Sequence, residues 1–173
     1  MSKTEENLWA AFAGESQARN KYDFFAKVAR SEGFEKLAEF FEETARNEHE
    51  HAKLIFKLLN GIGDSKKNLQ TGIEGETYEY TEMYPGFAKV AREEGEIEAA
   101  MYFETVAKVE EEHAKRYKAL LENLESGKLL KKDQSIKWKC RKCGYIHEGT
   151  EPPERCPLCD HPEGYYEPLC ENY

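Results

Sequence analysis

Apolar side chains recur at helical spacing along two long segments of the chain, residues 4–60 and 72–126. Such a stripe, repeating every three or four residues, is typical of an amphipathic helix. A break at 31–33, which includes a glycine, divides the first segment in two. In that segment the stripe contains Leu8, Phe12, Phe25, Val28, Leu37, Phe40, Ile55 and Leu58. The pattern therefore predicts long helices in pairs, and their length suits a helical bundle.

Residues 60–75 interrupt this pattern, because they include four glycines and several polar side chains. Such a composition predicts a loop or crossover rather than a continued helix. This loop would connect the two helix pairs.

An internal repeat relates the two helix pairs. The repeated segments, both at an offset of 62, are 25–33 with 87–95 and 48–53 with 110–115. Tyr22 matches Tyr84 at the same offset, but Glu15 matches Glu76 one residue out of step. The third helix therefore carries one extra residue between Glu76 and Tyr84. A helix absorbs a single insertion most simply as a π-bulge, which is frequent at functional sites.

Composition and charge narrow the classes of function. The 173 residues include 34 acidic and 25 basic side chains, for a net charge of −9. An acidic surface argues against nucleic acid or an anionic membrane as the main partner. The first residues lack the apolar run of a signal peptide, and no stretch of about 18 consecutive apolar residues occurs. We therefore expect a soluble cytoplasmic protein.

The composition changes abruptly after a polar connection at 127–137, and all five cysteines lie in the last fifth of the chain. We divide the chain into a helical domain, 1–130, and a small domain, 131–173. The small domain cannot hold its fold by core burial alone. In a reducing compartment, clustered cysteines indicate a metal site.

Two Cys-x-x-Cys pairs form this cluster, Cys140 with Cys143 and Cys156 with Cys159. Four thiolates make a tetrahedral site, and the bound metal would supply much of the folding free energy. The spacing leaves both zinc and iron open, while the aromatic residues nearby favour iron in an electron-transfer module. Cys170 lies outside both pairs, and we expect a free thiol there.

Each half of the repeat also contains Glu-x-x-His, which places a carboxylate and an imidazole on one helical face. One such pair alone is more often a solvated surface pair, but two copies at equivalent positions indicate ligands. Glu15 and Glu76 lie on the other two helices, on faces that are otherwise apolar. A Glu from each of two helices with Glu-x-x-His from each of the other two is the pattern of dinuclear carboxylate sites in ferritin-like bundles, and it suits iron or manganese. The Glu-x-x-His residues are Glu48, His51, Glu110 and His113.

Three further residues lie near these positions. Glu79 shares a helical face with Glu76, although an ordinary surface glutamate is the alternative. Tyr22 and Tyr84 could hydrogen-bond a ligating carboxylate, or could be plain core aromatics. The histidines without a matching constellation, which we expect at the surface, are His49, His147 and His161.

These motifs together closely resemble the rubrerythrin family over essentially the whole chain. The segments that carry the resemblance are 11–19, Glu48-x-x-His51, 76–85, Glu110-x-x-His113 and the rubredoxin-like cysteine pairs within 138–159. The resemblance implies a mainly α fold, a four-helix ferritin-like bundle with a small rubredoxin-like iron-binding domain.

The resemblance also implies the chemistry. It implies a non-haem diiron centre held by Glu15, Glu48, Glu76, Glu79, Glu110 and His113, and one iron held by Cys140, Cys143, Cys156 and Cys159. His51 would be a ligand of the reduced centre, with one iron moving between His51 and Glu79 as the oxidation state changes. Tyr22 and Tyr84 would support the ligands.

The implied reaction is reduction of hydrogen peroxide to water, with electrons delivered through the rubredoxin-like iron. The implied donor is rubredoxin or an NAD(P)H-dependent rubredoxin reductase. The resemblance further implies a homodimer with head-to-tail contact, and the loop at 60–75 would permit exchange of helix pairs between subunits.

Two other functions compete with the peroxidase. Ferritin-like bundles also oxidise and store iron, but storage has no need of a fused electron-transfer domain. A zinc-ribbon binding module attached to a redox-inert bundle is the third interpretation.

Overall fold

The computed structural model describes residues 1–171. It is mainly helical with a small sheet near the C-terminus, which confirms the predicted fold class. The chain divides into two units, Met1–Asp64 and the residues from Ser65 onward. The elements are α1 Lys3–Ser31, α2 Glu35–Leu58, α3 Ser65–Tyr78, a π-helix Glu79–Met83, α4 Tyr84–Glu93, α5 Ile97–Glu125, β1 Ile136–Cys140, β2 Ile146–Gly149, a 3₁₀ turn Glu163–Tyr165 and β3 Tyr166–Pro168.

The first unit is a helical hairpin of α1 and α2. Ser2 caps α1, since its hydroxyl accepts a hydrogen bond from the backbone N–H of Glu5 at 3.2 Å. Gly33 makes the turn between the helices with a φ of +85°, which glycine adopts without steric cost. The predicted break at 31–33 is therefore confirmed. Only alanines are buried in this unit: Ala26, Ala29, Ala38, Ala45 and Ala52.

The loop predicted at 60–75 is wrong in extent, because α3 already begins at Ser65. Only residues 61–64 lie outside helix and turn between α2 and α3. Two of the four glycines that suggested a loop, Gly72 and Gly75, lie inside α3. A Cβ at Gly72 would lie 3.1 Å from the ring of Tyr117 in α5. Gly72 thus permits α3 and α5 to approach closely, which outweighs its low helix propensity.

The second unit begins with a hairpin in which α3, the π-helix and α4 run as one continuous helical segment against α5. The π-helix at Glu79–Met83 accommodates the extra residue of the third helix, as the repeat offset predicts. Pro85 lies in the first turn of α4, directly after the π-helix, where the regular α-helical hydrogen bonding is already interrupted. Gly95 turns the chain into α5 with a φ of +83°, matching Gly33 in the first hairpin.

Both hairpins leave large apolar side chains exposed. Phe40 is 57% exposed in the first unit, and Met101 is 58% exposed in the second. Helices bury an apolar stripe against another layer, and a hairpin that buries mainly alanines has no complete core of its own. Each hairpin therefore requires a further helical layer to shield its apolar face. Within the described residues, no helix is both long and apolar enough to cross a membrane.

The C-terminal part of the second unit is a three-stranded antiparallel sheet in the order β2-β1-β3. Its buried cluster consists of Trp138, Cys140, Cys156 and Tyr166. Trp138 satisfies its indole N–H by donating to the Gly149 carbonyl at 2.9 Å. A core of four residues is too small to stabilise a fold alone, so this sheet depends on the metal that its cysteines hold.

Candidate metal centres

The first half-site, as we name Glu15, Glu48 and His51, lies between α1 and α2. His51 Nδ1 is 2.8 Å from Glu48 Oε2 and 3.8 Å from Glu15 Oε2. The spacing of three along α2 places Glu48 and His51 on one face, and α1 brings Glu15 to the same place. The Glu48 side chain is only 17% exposed, whereas that of His51 is 55% exposed.

The second half-site, Glu76, Glu110 and His113, repeats this geometry between α3 and α5. His113 Nδ1 is 2.7 Å from Glu110 Oε2 and 3.6 Å from Glu76 Oε2. In each half-site the three ligand atoms lie within 4.8 Å of one another. The structure therefore brings together, in two groups of three, all six residues singled out by the repeat.

The aromatic contacts of Tyr22 and Tyr84 follow the same repeat. Tyr22 stacks on Phe41 with ring centroids 6.2 Å apart, and Tyr84 stacks on Phe103 at 6.1 Å. Each Tyr also contacts the Phe three residues after it. Both tyrosines are therefore packed among aromatic rings, and their orientation is set by that packing.

One carboxyl group in each half-site, Glu15 in the first and Glu76 in the second, resists ionisation. Hydrogen bonding to Glu48, together with burial, raises the pKa of Glu15 above its ordinary value. Burial and the neighbouring Glu110 raise the pKa of Glu76. Because folding raises these two pKa values, ionising Glu15 and Glu76 costs free energy in the folded protein. The folded state is therefore destabilised as the pH rises through the raised pKa values. Bound cations would offset that cost.

Glu79 lies outside the second half-site but within its electrostatic reach. Burial and the charge of Glu110 raise the pKa of Glu79, while His113 lowers it. Glu79 is the first residue of the π-helix, so the extra residue lies directly between it and Tyr84. Burial, and then the charge of Glu79, raise the pKa of Tyr84, which keeps this phenol protonated.

The four cysteines of the predicted pairs converge at the end of the sheet. Cys140 Sγ lies 3.8 Å from Cys159 Sγ, and Cys143 Sγ lies 3.6 Å from Cys156 Sγ. A tetrahedron with metal–sulfur bonds of about 2.3 Å has sulfur–sulfur edges of about 3.8 Å. The sulfur positions therefore fit one tetrahedral metal ion.

Each cysteine pair is closed by a tight turn. Gly144 N–H donates to the Cys140 carbonyl, and Asp160 N–H donates to the Cys156 carbonyl, both at 2.8 Å. Gly144 and Asp160 both have positive φ, at +80° and +57°. Asp160 holds this conformation with help from Arg155, whose guanidinium bonds both carboxylate oxygens. The two loops thus present their sulfurs in the same way.

The surroundings of Cys156 make its thiol ionise more readily than a free thiol. Burial opposes ionisation of Cys156, but the nearby Tyr166 hydroxyl and the backbone N–H groups of Cys159 and Leu158 outweigh it and lower its pKa to about 6. The role of Tyr166 was not predicted, because the sequence places several aromatic residues near the cysteines without showing which hydroxyl is buried.

The remaining sequence predictions separate into two groups. Cys170 is exposed and unpaired within the described residues, in agreement with its expected free thiol. His49 is exposed, as predicted, but His147 and His161 are partly buried. His161 Nδ1 lies 2.9 Å from the Cys159 carbonyl, and its ring contacts Tyr165 at 4.7 Å. Its backbone lies in the second cysteine loop, which explains the difference.

The donor atoms fit the cofactors that the sequence predicts. Carboxylate oxygens with imidazole nitrogens suit iron, and the mutual repulsion of the half-site carboxyl groups is relieved by cations. The residues present are those of a diiron carboxylate site and of a four-cysteine rubredoxin-like iron site.

Comparisons with known proteins find rubrerythrins among the relatives of this chain. Rubrerythrin-1 of Clostridium acetobutylicum is 49% identical over 99% of this chain and 97% of its own length. Rubrerythrin of Nitratidesulfovibrio vulgaris is 46% identical over 99% of this chain and 97% of its own length. A solved structure of nigerythrin in a fully reduced, all-ferrous state is 36% identical, covers 98% of this chain and 88% of that chain, and has a TM-score of 0.37.

Family models match both parts of the chain. The rubrerythrin model matches residues 6–121, and the model of the rubrerythrin rubredoxin-like domain matches residues 138–167. With half-sites mirrored by the repeat and four cysteines set for one metal ion, the chain belongs to the rubrerythrin family.

Proposed function

We propose that this protein is a peroxidase that reduces hydrogen peroxide to water and protects the cell from oxidative stress. The observation that supports this most strongly is the presence, in one chain, of two mirrored carboxylate–histidine half-sites and a four-thiolate site. The two half-sites can hold two redox-active metal ions, and the four-thiolate site can receive electrons. The proposed reaction uses both.

The reaction consumes two electrons and two protons for each peroxide, and yields two molecules of water. When bound, two ferrous ions supply the two electrons that cleave the O–O bond. Glu15, Glu48, Glu76, Glu110 and His113 hold the metal in this proposal. Their negative charge stabilises the more highly charged, oxidised metal.

Glu79 and His51 respond to the oxidation state. A carboxylate adds a negative charge where a neutral imidazole adds none, so Glu79 favours the oxidised centre and His51 the reduced one. Tyr84 stays protonated beside Glu79 and can donate a hydrogen bond to a ligating carboxylate. Tyr22 takes the equivalent part at the first half-site.

The four-cysteine iron serves as the electron entry. With four thiolates filling its coordination positions, no position remains for substrate, so electron transfer is its role. We propose rubredoxin or an NAD(P)H-dependent rubredoxin reductase as the donor and the cytoplasm as the compartment. The domains proposed for these two tasks are 1–130 and 131–173.

We further propose a homodimer with head-to-tail contact, in which the four-cysteine iron of one subunit delivers electrons to the diiron centre of the other. The short connection at 61–64 would permit exchange of helix pairs between subunits. Size-exclusion chromatography with an activity assay tests this. A monomer with full NADH-linked peroxidase turnover would contradict the cross-subunit route.

Stopped-flow mixing tests the proposed function. The fully reduced, iron-loaded protein is mixed anaerobically with hydrogen peroxide and, separately, with oxygen, while absorbance follows oxidation of the iron. We expect faster oxidation by peroxide. Much faster oxidation by oxygen, or release of a mineralised iron product, would support the iron oxidation and storage function instead.

Glu79→Ala is expected to retain iron at both centres and to slow peroxide turnover by about 10- to 100-fold, the usual cost of losing a residue that supports a metal site. Metal analysis and steady-state peroxidase assays measure the two effects. Glu82→Ala is the matched control, since Glu82 is an exposed carboxylate in the same π-helix. Equal turnover in both variants would show that Glu79 has no such role.

A further inference from the structure

Tyr166 is a buried tyrosine with an unusual environment. It is 4% exposed and lies in the buried cluster with Cys140 and Cys156. Its hydroxyl oxygen is fully buried and makes no hydrogen bond of standard geometry among the described residues. A buried hydroxyl without a partner is costly, so its retention in this small core calls for an explanation.

The surroundings of this hydroxyl point to a sulfur partner. Tyr166 lies opposite Cys140 in the β1–β3 ladder, which directs its ring into the cysteine cluster. The buried cluster also contains Cys156, and burial together with this neighbouring cysteine raises the pKa of Tyr166 above its ordinary value. Trp138, the other aromatic residue of the cluster, already donates its N–H to Gly149. Tyr145 and Tyr165 are exposed, so Tyr166 is the phenol available to the cluster within residues 1–171.

We propose that, with iron bound, the Tyr166 hydroxyl donates a hydrogen bond to the Cys156 sulfur and thereby raises the reduction potential of the four-cysteine site. Reduction adds one electron from an external one-electron donor, and no bond or proton is exchanged. The added negative charge is shared by the four thiolate ligands. A hydrogen-bond donor stabilises the more negative, reduced state more than the oxidised state, so it favours reduction.

Tyr166 is thus a positioning and tuning residue for electron entry, and it does not touch the peroxide. The inference rests on iron in the four-cysteine site and is independent of peroxide reduction. It is therefore measured without peroxide.

The test is a spectroelectrochemical titration of the ferric-thiolate absorption in the full-length, iron-loaded protein. We expect Tyr166→Phe to lower the equilibrium constant for reduction about tenfold, which is about 59 mV for a one-electron couple. Tyr165→Phe is the matched control, because it removes the same atom from the neighbouring, exposed ring. The control potential should equal that of the unmodified protein.

A second variant gives the opposite prediction. Incorporation of 3-fluorotyrosine at position 166 keeps the ring in place and makes the phenol a stronger donor, so the potential should rise. It decides the question even where Tyr166→Phe fails to hold iron. An unchanged potential in the fluorotyrosine variant, or an unchanged or higher one in Tyr166→Phe, would overturn the proposal.

Discussion

Cys140→Ser is expected to abolish donor-linked peroxide reduction, lowering turnover with a rubredoxin-type donor by at least about 100-fold. Cys140 is completely buried, and its sulfur lies 3.8 Å from that of Cys159. A serine hydroxyl is a poor substitute for a thiolate ligand, so the site loses its metal. Metal binding contributes on the order of 10 kcal/mol to folding in comparable four-ligand sites, so the sheet unfolds with it.

Three measurements on the Cys140→Ser protein test this prediction. The ferric-thiolate absorption should disappear, steady-state turnover should fall, and the chemically reduced bundle should still react once with peroxide. Cys170→Ser serves as the control, because Cys170 is exposed and lies outside the cluster. Sustained turnover by the Cys140→Ser protein would argue that donors reduce the diiron centre directly.

Glu110→Ala is expected to remove iron from the bundle and to lower peroxide turnover by at least about 100-fold, more than the cost of losing an outer partner of a metal site. Glu110 holds His113 at 2.7 Å, and its charge contributes to the raised pKa values of Glu76 and Glu79. Its loss removes one ligand and leaves His113 unoriented. Iron analysis should show that the helical bundle has lost its iron, while the ferric-thiolate absorption of the four-cysteine site is unchanged.

Glu112→Ala provides the comparison for this prediction. Glu112 lies on the same helix, is exposed, and pairs with Lys115 at 2.8 Å. Exposed pairs of this kind contribute about 0–1 kcal/mol, so iron content and turnover should stay the same. Full iron loading and full turnover in the Glu110→Ala protein would exclude Glu110 from the metal site.

Much of the helical architecture could be predicted from the repeat. Because two copies of one helix pair carry the same side chains at an offset of 62, each observation in one half supports the other. The one-residue slip between Glu76 and Tyr84 predicted the π-helix, since a helix can hold an additional residue only by widening one turn. The ligand groups followed from i,i+3 spacing, which is a local property.

The loop at 60–75 was mispredicted for a physical reason. Glycine has a low intrinsic helix propensity, so four glycines in one segment indicated a loop. Gly72 is instead helical. A glycine is needed at this helical position because the ring of Tyr117 occupies the space where a side chain would be. That contact joins residues far apart in sequence, and no local pattern contains it.

The residues close to the four cysteines also show which features follow from local sequence and which follow from contacts between distant residues. The cysteine spacing predicted the tetrahedral site, because two short loops of this length present thiolates in a known way. The different environments of Tyr165 and Tyr166 follow only from the strand pairing. β3 places Tyr166 opposite Cys140 and leaves the ring of Tyr165 exposed.

The amino-acid sequence by itself determined the helix pairs, the extra residue in the third helix and the two sets of metal donors. These depend on spacing along the chain, which periodicity and repeats record directly. The tertiary structure decided where α3 begins, how Glu79 is placed near Glu110 and which phenol lies in the buried cluster with Cys156. These depend on packing between distant segments, where close approach and burial outweigh local propensity.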